Sequence, residues 1–295
     1  MLLILAIAFI VSYSLENTRT RHQLVSDARK LNAVISEPID YVNALSMYMG
    51  EKISDNNKYE DLKYIDALFK ETLIYRGSTN KSISWPMFSW GDKKHRLAVN
   101  TMEGISKTKQ SLASRGYSWR ARYEPWELQF SKPISGMISK TWVLPVALGI
   151  ANSRDEFKGT IITGINIKEM ITRAESVLNS GNSFILVNRD PFNQDMDKII
   201  LSSSNAPHFS QDYKRIPRIV EKCRDWMEQS GTMAQYIKAG RYKYTYYSMI
   251  SGHPLVIFVG FNRITFWVNA LSAMVNYTIF AMAIFLLGRE VLTKK

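Results

Sequence analysis

The sequence predicts an α+β protein in which a long N-terminal stalk helix carries two successive mixed modules, with an apolar segment at each end. Three observations predict it. Two uncharged apolar stretches enclose roughly 250 mixed residues, enough for one or two domains. Apolar residues recur at helical spacing directly after the first stretch. Beyond them, a similar order of helices and strands occurs twice, and each round ends in two adjacent β-rich runs.

The first apolar stretch, residues 1–15, reads MLLILAIAFIVSYSL. About 15 helical residues extend about 22 Å, which is short for a hydrocarbon core of about 30 Å. A secretory signal peptide is disfavoured, because the stretch begins without a basic residue and the run from Ser12 to Leu15 makes a poor cleavage site. We expect a transmembrane helix that has lost part of its start. A complete signal anchor is the second choice, and a buried core helix is the third.

Residues 16–54 are predicted to form the stalk helix. Apolar or small residues recur along it at alternating spacings of four and three, at Leu24, Ala28, Leu31, Ile35, Pro38, Val42, Leu45 and Met49. This stripe is typical of a helix that packs against a partner. It predicts either a parallel homodimer through the stalk or packing against the chain's own modules, and we expect both in different parts of the helix. Pro38 is expected to kink the helix.

Runs of alternating or continuous apolar residues between turn-forming residues indicate the two modules. The first module is residues 55–178, with a helix, two strands, two closing strands and a helix predicted over 59–74, 83–90, 96–101, 143–150, 157–167 and 168–178. The second module is residues 179–263, with two strands, a helix and three strands predicted over 183–188, 198–202, 216–228, 231–237, 241–250 and 254–261.

The second apolar stretch, residues 264–287, is predicted to be a transmembrane helix, because about 24 helical residues extend about 36 Å. Trp267 near its start suits the membrane interface. Asn269 and Asn276 are unusual in lipid; they either contact another helix through their amides or are simply tolerated. Residues 288–295 are predicted to be a cytoplasmic tail, since basic flanks favour the cytoplasmic side.

A span at each end places the modules on one side of a bilayer and both ends on the other. We expect the bacterial inner membrane, with the modules in the periplasm. Cys223 is the single cysteine, so an intrachain disulfide is excluded. The net charge is +12, of which the tail contributes +2 through three cations and one carboxylate. The remaining charge of about +10 would attract anionic lipid headgroups or acidic ligands. Nucleic acid is not expected as a partner outside the membrane.

The order of span, stalk, two α/β modules and span resembles the double Cache (dCache, PAS-like) sensor domains of bacterial membrane histidine kinases and chemoreceptors. The local matches are residues 35–49 for the stalk, 83–90 for the first strand, and 142–170 with the run GTIITGINIKEM. The resemblance implies two tandem PAS-like (Cache) modules, with a small ligand bound in the membrane-distal one.

Ligand pockets combine aromatic walls with a few polar groups, and we select the distal-module residues Trp119, Arg120, Arg122, Tyr123, Trp126 and Trp142. If this stretch is a strand, Trp126 shares a face with the arginines, and Trp119 and Tyr123 lie opposite. The alternative is a loop whose aromatics cap the core and whose arginines point to water.

The resemblance adds Asn166 to this set of ligand-site candidates. Relatives that bind amino acids usually show an Arg before a Trp-Tyr pair and an Asp in the last distal strand. Here that pair is missing, and Asn166 stands at the acidic position. Because an Asn brings no charge for a ligand ammonium, and arginines suit carboxylates and phosphates, we expect a small anionic ligand.

Catalysis is not expected. The four histidines are scattered, at His22, His95, His208 and His253. No metal-ligand spacing, phosphate-binding loop or nucleophile motif occurs, so we expect neither a metal nor a cofactor. Each histidine is expected to lie at the surface or to be satisfied by neighbours.

The sequence therefore predicts a membrane-anchored periplasmic ligand-sensing domain that passes a displacement to the second span. It matches the input part of a sensor histidine kinase that lacks its catalytic region. The alternative is a doubly anchored periplasmic interaction or scaffold protein without a small ligand. A periplasmic enzyme is the third hypothesis.

Truncation to residues 17–262 is expected to give a soluble, folded protein, because it removes both apolar stretches and leaves the two modules whole. Circular dichroism and size-exclusion chromatography of the purified fragment measure this. A product that stays insoluble after careful refolding would contradict it.

Overall fold

The computed structural model describes residues 2–73, 87–107, 110–136, 141–179, 181–189, 199–203, 230–233, 242–250 and 252–293. It confirms the α+β class. A long N-terminal helix lies against two antiparallel sheets. The predicted helix over 216–228 and the start of the predicted strand over 83–90 lie outside the described residues.

The helices of the described part are α1 (Leu2–Asp55), α2 (Leu62–Thr72), α3 (Gly116–Tyr123), α4 (Ile167–Val177) and α5 (Arg263–Thr293). The strands of the first module are β1 (Met87–Asp92), β2 (Leu97–Asn100), β3 (Gly104–Ile105), β4 (Leu128–Phe130), β5 (Ile134–Ser135), β6 (Trp142–Ala151) and β7 (Phe157–Asn166). The strands of the second module are β8 (Asn182–Asn188), β9 (Ile199–Ser202), β10 (Ser230–Met233), β11 (Tyr242–Met249) and β12 (Leu255–Asn262).

Each module is built on one antiparallel sheet. The first sheet has the order β3-β2-β1-β7-β6-β4, and β5 also pairs with β6. The second has the order β10-β11-β12-β8-β9. The predicted closing hairpins are confirmed as β6–β7 and β11–β12, which pair antiparallel over most of their length. The two modules are therefore similar antiparallel units that follow one another along the chain.

Helix α1 includes both the first apolar stretch and the stalk, and its helical assignment runs through Pro38. The stripe is buried: Leu24, Leu31 and Ile35 are fully inaccessible. The part of the stripe from Leu24 to Val42 packs with residues of both sheets. The part from Leu45 to Met49 packs with α2 and the first sheet. The stripe therefore packs against the chain's own modules, as one of the two alternatives predicted. A homodimer through the stalk stays a prediction and would have to use another face of α1.

Pro145 lies inside β6, a strand with neighbours on both sides. It pairs with Gly164 of β7. On the other side, β5 pairs with β6 only as far as Val143, and β4 begins to pair at Val146. Proline has no N–H to donate, and this gap between two short strands is where a missing donor is tolerated.

The second apolar stretch forms α5. Within the described residues, Arg263–Arg289 is the one stretch long and apolar enough to cross a membrane by length and composition. Residues of the first apolar stretch pack beside it, since Tyr13 contacts Phe266 edge-on at 5.6 Å between ring centroids. Asn269 donates its amide to Glu16 Oε1 at 2.9 Å, which agrees with the first of its two alternatives, a contact with another helix. Asn276 is exposed.

Residues 116–123 form α3, which is neither the strand nor the loop that the sequence left open for this stretch. Tyr117 and Ala121, four residues apart, are buried against the first sheet, which is helical and not strand spacing. Gly149 of β6 makes this packing possible. A Cβ atom at Gly149 would collide with the carbonyl oxygen of Ala121.

A buried carboxylate fastens α1 to the segment between the modules. Asp27 is fully inaccessible. It accepts hydrogen bonds from the Asn179 backbone N at 3.1 Å, from Asn179 Nδ2 at 2.6 Å and from Asn182 Nδ2 at 2.5 Å. Because hydrogen bonds to a charged group are stronger than neutral ones, this contact fixes where the second module begins relative to the stalk.

Asp27→Ala is expected to lower the free energy of unfolding by about 3 kcal/mol, because one buried donor on Asn182 and two half-buried donors on Asn179 lose their acceptor. Urea unfolding of the full chain in detergent micelles measures the loss. Glu51→Ala is the matched control, since that acidic side chain is exposed on the same helix; a change under about 0.5 kcal/mol is expected there. Equal losses in the two variants would contradict the role of Asp27.

Candidate functional site

The first sheet has two differently used faces, because successive side chains of a strand point to opposite sides. Phe88 and Trp90 of β1 point into the core that α1 and α2 cover. Met87 and Ser89 lie on the other face, together with Ile162 of β7. Among the described residues, the hydrophobic cluster on that second face contains no residue of α1. It is covered instead by α3 and the chain before it.

A small cavity of about 60 Å³ lies on this second face, called the distal pocket below. Its lining residues are Met87, Ser89, Leu97, Leu112, Tyr117, Ile134, Gly136, Val143, Pro145, Ile162, Thr163 and Gly164. None of these residues is charged. The pocket is far smaller than the roughly 300–1,000 Å³ typical of sites for drug-sized ligands.

Three residues of the lining carry hydroxyl groups: Ser89, Tyr117 and Thr163. Thr163 Oγ1 is buried without a hydrogen-bond partner in the described part of the chain, and Ser89 and Tyr117 are each 5% exposed. Burial raises the pKa of Tyr117, so its phenol stays neutral and able to donate. Hydroxyl groups can both donate and accept hydrogen bonds, which makes Ser89 and Tyr117 candidates for ligand contacts.

The predicted arginines do not line the distal pocket. Arg120 donates from Nε to Gln129 Oε1 at 2.8 Å and from Nη2 to Glu124 Oε2 at 2.7 Å. Its charge is thus already compensated within the chain. Arg122 is exposed, and Tyr123 is 75% exposed. The exposure of Arg122 matches the alternative that the arginines point to water. Arg120 neither lines the pocket nor points to water.

The remaining selected residues are spread over the first module. Trp126 has a positive φ of 67° and packs beside Gly50 of α1 at the edge of the core. Trp142 is 53% exposed at the start of β6. Asn166 ends β7 and caps α4, because its side chain accepts a hydrogen bond from the Glu169 backbone N at 3.2 Å. The seven selected residues are therefore not gathered in one pocket, and their role as ligand contacts stays a prediction.

Ser89 was missed because it belongs to no charged or aromatic cluster, whereas Tyr117 stands just before the selected residues of the run GYSWRARY. A signal for Ser89 was present in the run MFSWG, where strict alternation puts Ser89 on the face opposite Phe88 and Trp90. Tyr117 can be found only once residues 116–123 are recognised as a helix.

His95, in the turn between β1 and β2, is buried between two aromatic rings. Its ring centroid lies 4.4 Å from that of Trp119 and 5.6 Å from that of Phe157. Nδ1 lies 2.8 Å from Ser118 Oγ, and Nε2 has no partner in the described part of the chain. His95 is therefore only half satisfied, which differs from the expectation of a surface or satisfied histidine.

Burial and the positive charge of Arg122 lower the pKa of His95, and Asp92 acts in the opposite direction. The folded chain then holds this proton less readily than the unfolded chain. We expect full stability above about pH 6.5, and a loss as pH falls below that value toward the lowered pKa of the folded state.

Urea unfolding midpoints of the full chain between pH 7.5 and pH 5 measure this effect. His95→Gln is expected to reduce the dependence on pH, and His22→Gln, at an exposed position, is expected to leave it unchanged. The same slope in the His95 variant and the parent chain would contradict the expectation.

A larger groove of about 750 Å³ lies at the outer edge of the first module. Its lining carries five cations and three carboxylates. Three ion pairs form within it: Lys58 with Asp61 at 3.2 Å, Lys93 with Glu60 at 2.9 Å, and Arg96 with Asp92 at 2.7 Å. The two further cations are Lys94 and Lys158, and Lys158 pairs with Glu156 outside the lining at 2.8 Å. The groove is therefore a second candidate beside the distal pocket.

Neither a protein-family model nor a curated protein sequence matches the chain. Solved structures do match. The sensory domain of the Campylobacter jejuni chemoreceptor Tlp3 (CcmL) with isoleucine bound has a TM-score of 0.56 at 9% identity, over 87% of this chain and 98% of that chain. The ligand-binding domain of the Pseudomonas fluorescens chemoreceptor CtaA in complex with L-alanine has a TM-score of 0.53 at 11% identity, over 84% and 97%.

The extracellular domain of rpHK1S-Z16, described as a histidine kinase, has a TM-score of 0.52 at 16% identity, over 76% of this chain and 93% of that chain. Identities this low show a shared fold. Together with the two sheets along one helix, these likenesses confirm the arrangement that the resemblance implied: this chain has the double Cache fold of extracytoplasmic sensor domains.

Proposed function

We propose that the chain is a membrane-anchored extracytoplasmic sensory domain, whose distal module binds a small molecule and whose α5 carries the response to the membrane. The observation that supports this most is the path of α1. One helix touches both sheets, and its N-terminal part lies beside α5, which is long and apolar enough to span a bilayer. A change in the first sheet can therefore reach the base of the protein through one rigid element.

The distal pocket and the stalk share the strands β6 and β7. Val143 and Pro145 line the pocket, while Leu144 and Val146 pack in the core with α1. A ligand that shifts these strands therefore acts on α1 without any intervening layer. Such a ligand changes the balance of two arrangements only through its different affinity for each of them.

The base of α1 and α5 is held by a polar seam, which consists of Ser12, Glu16 and Thr20 on α1 and Asn269 on α5. The three α1 residues are buried, and Asn269 donates to Glu16. Next to it, Tyr13 lies 5.8 Å from Trp267 between ring centroids. This seam fixes the register of the two helices where a signal would leave the domain.

The same proposal includes the inner membrane of a bacterium, a cytoplasmic C-terminus and an output through a histidine kinase or a partner protein. The structures that resemble the chain belong to chemoreceptors and to a protein described as a histidine kinase. A doubly anchored scaffold protein without a ligand is the second candidate, and the small size of the distal pocket favours it.

Cysteine labelling tests the location of the modules. In a Cys223→Ser background, Tyr123→Cys is expected to react with a membrane-impermeant maleimide in intact cells, because this side chain is 75% exposed in the first module. Lys295→Cys is expected to react only after lysis, and Ile257→Cys, fully buried, only after unfolding. Reaction of Tyr123→Cys only after lysis would place the modules in the cytoplasm and overturn the proposal.

A further inference from the structure

The groove at the outer edge of the first module, called the outer groove below, is large enough for a small molecule. Its volume of about 750 Å³ lies within the range of roughly 300–1,000 Å³ that is typical of ligand sites. The start of α2 with the turn before it, the turn between β1 and β2, and the start of β7 form its walls. It shares no lining residue with the distal pocket, so the two are separate sites.

Positive charge predominates in the lining of the outer groove. Five cations and three carboxylates leave a net charge of +2. Counting Glu156, the partner of Lys158 outside the lining, the balance is still +1. Lys94 is exposed and belongs to none of the ion pairs of the groove. The cations come from three separate segments, so they surround the space instead of lying on one side of it.

A carboxylate of the chain itself marks a place in the groove that suits an anion. Glu60 Oε1 accepts a hydrogen bond from Lys93 Nζ at 2.9 Å. This hydrogen bond and the charge of Lys93, together with the charge of Lys158, hold the pKa of Glu60 below its ordinary value, so both cations act on this carboxylate. The Glu60 side chain is 84% exposed. Because exposed ion pairs are weak, another anion can take its place.

The backbone that carries these cations is fixed before a ligand binds. Asp92 accepts hydrogen bonds from the backbone N of Lys94 and from that of Arg96, each at 2.9 Å. Asp61 caps α2 by accepting a hydrogen bond from the Tyr64 backbone N at 3.1 Å. Little ordering of the two turns is then needed on binding, which favours affinity.

The apolar part of the lining offers little to a ring. Tyr59 is 8% exposed and Ala98 is 2% exposed, and Lys158 Nζ lies 6.0 Å from the centre of the Tyr59 ring. A nucleobase therefore finds no open aromatic face in the lining on which to stack. Lysine binds phosphate as a point charge. The groove thus suits a hydrophilic ligand with several negative charges.

The outer groove lies far from the apolar end of α1. Between Leu15 and Asp55 the helix extends for about 40 residues, or about 60 Å. The attraction of anionic lipid headgroups falls off within a Debye length, about 8–10 Å at physiological ionic strength. An anion therefore reaches the groove from solution and not from the membrane that holds the chain.

We propose that the outer groove binds a soluble anion with several phosphate groups, which displaces Glu60 from Lys93 and Lys158 and also contacts Lys94. This site goes beyond the proposed function, because it is a second ligand site of the first module and does not depend on what the distal pocket holds.

Inorganic tripolyphosphate is the probe, and isothermal titration calorimetry on the full chain in phosphatidylcholine nanodiscs measures its binding. Saturable binding at one site per chain is expected, with a Kd between roughly 10 µM and 1 mM. Orthophosphate is expected to bind at least about tenfold more weakly, because it carries fewer charges. ATP is expected to bind within about twofold of tripolyphosphate, since its base has no place to stack. Phosphatidylglycerol in the nanodiscs is expected to leave the Kd unchanged.

Charge-matched double variants connect binding to the groove. Lys93→Gln with Lys94→Gln is expected to weaken tripolyphosphate binding by at least about fivefold. Arg29→Gln with Lys30→Gln is the matched control, because it removes the same charge from two exposed neighbours on α1. A change under about twofold is expected there.

Glu60→Gln is expected to act in the opposite direction. It removes the competing carboxylate, so tripolyphosphate is expected to bind about threefold more tightly or better. Glu71→Gln is the matched control, because that acidic side chain is exposed farther along α2, and no change is expected. Since this variant predicts a gain, it decides even if the double lysine variant fails to fold in a thermal unfolding assay.

Several results would overturn the inference. No saturable binding, equal weakening by the two double variants, or an unchanged Kd in Glu60→Gln would show that the groove holds no anion in the place of Glu60. ATP binding more than tenfold tighter than tripolyphosphate would show a nucleotide site, and loss of binding in phosphatidylglycerol nanodiscs would show a headgroup site. None of these results affects the labelling of Tyr123→Cys, so failure of the inference and failure of the proposed function are distinguishable.

Discussion

The structure depends on one constraint: a single helix completes the hydrophobic cores of both modules. Residues from Leu24 to Val42 of α1 pack with strands of the two sheets, and residues from Leu45 to Ile53 pack with the first sheet and α2. Each fully buried aliphatic side chain contributes about 2 kcal/mol. The larger hydrophobic cluster of each sheet includes residues of α1, so folding of the modules is coupled through it.

The order of elements could be predicted from the sequence, because it is encoded in short-range periodicity. The spacing from Leu24 to Met49 is helical, and the runs over 143–150 and 157–167 are long, apolar and separated by a clear turn. Such patterns arise because one face or both faces of an element are buried. The burial of so many apolar residues outweighs the intrinsic helix or strand propensities of single residues. The structure accordingly shows α1, β6 and β7 close to where the sequence placed them.

The site could not be predicted in the same way, since it depends on which sheet face the stalk covers. Aromatic and basic residues at 119–123 form the most conspicuous cluster in the sequence, yet Arg120 pairs with Glu124, four residues later and directly after α3. That spacing is a readable signal of an internal ion pair once the segment is taken as a helix. Ser89 and Tyr117 become neighbours of one cavity only through tertiary packing, which no local pattern reports.

The polar seam at the base has a geometric consequence. Ser12, Glu16 and Thr20 repeat once per helical turn, roughly 6 Å apart, and the hydroxyls of Ser12 and Thr20 have no partner among the described residues. Asn269 pairs with Glu16, the middle residue of this row. A slide of the two helices by one turn would bring its amide opposite a neighbouring hydroxyl, whereas a smaller slide would break the hydrogen bond without offering another. The seam therefore favours registers that differ by a whole turn.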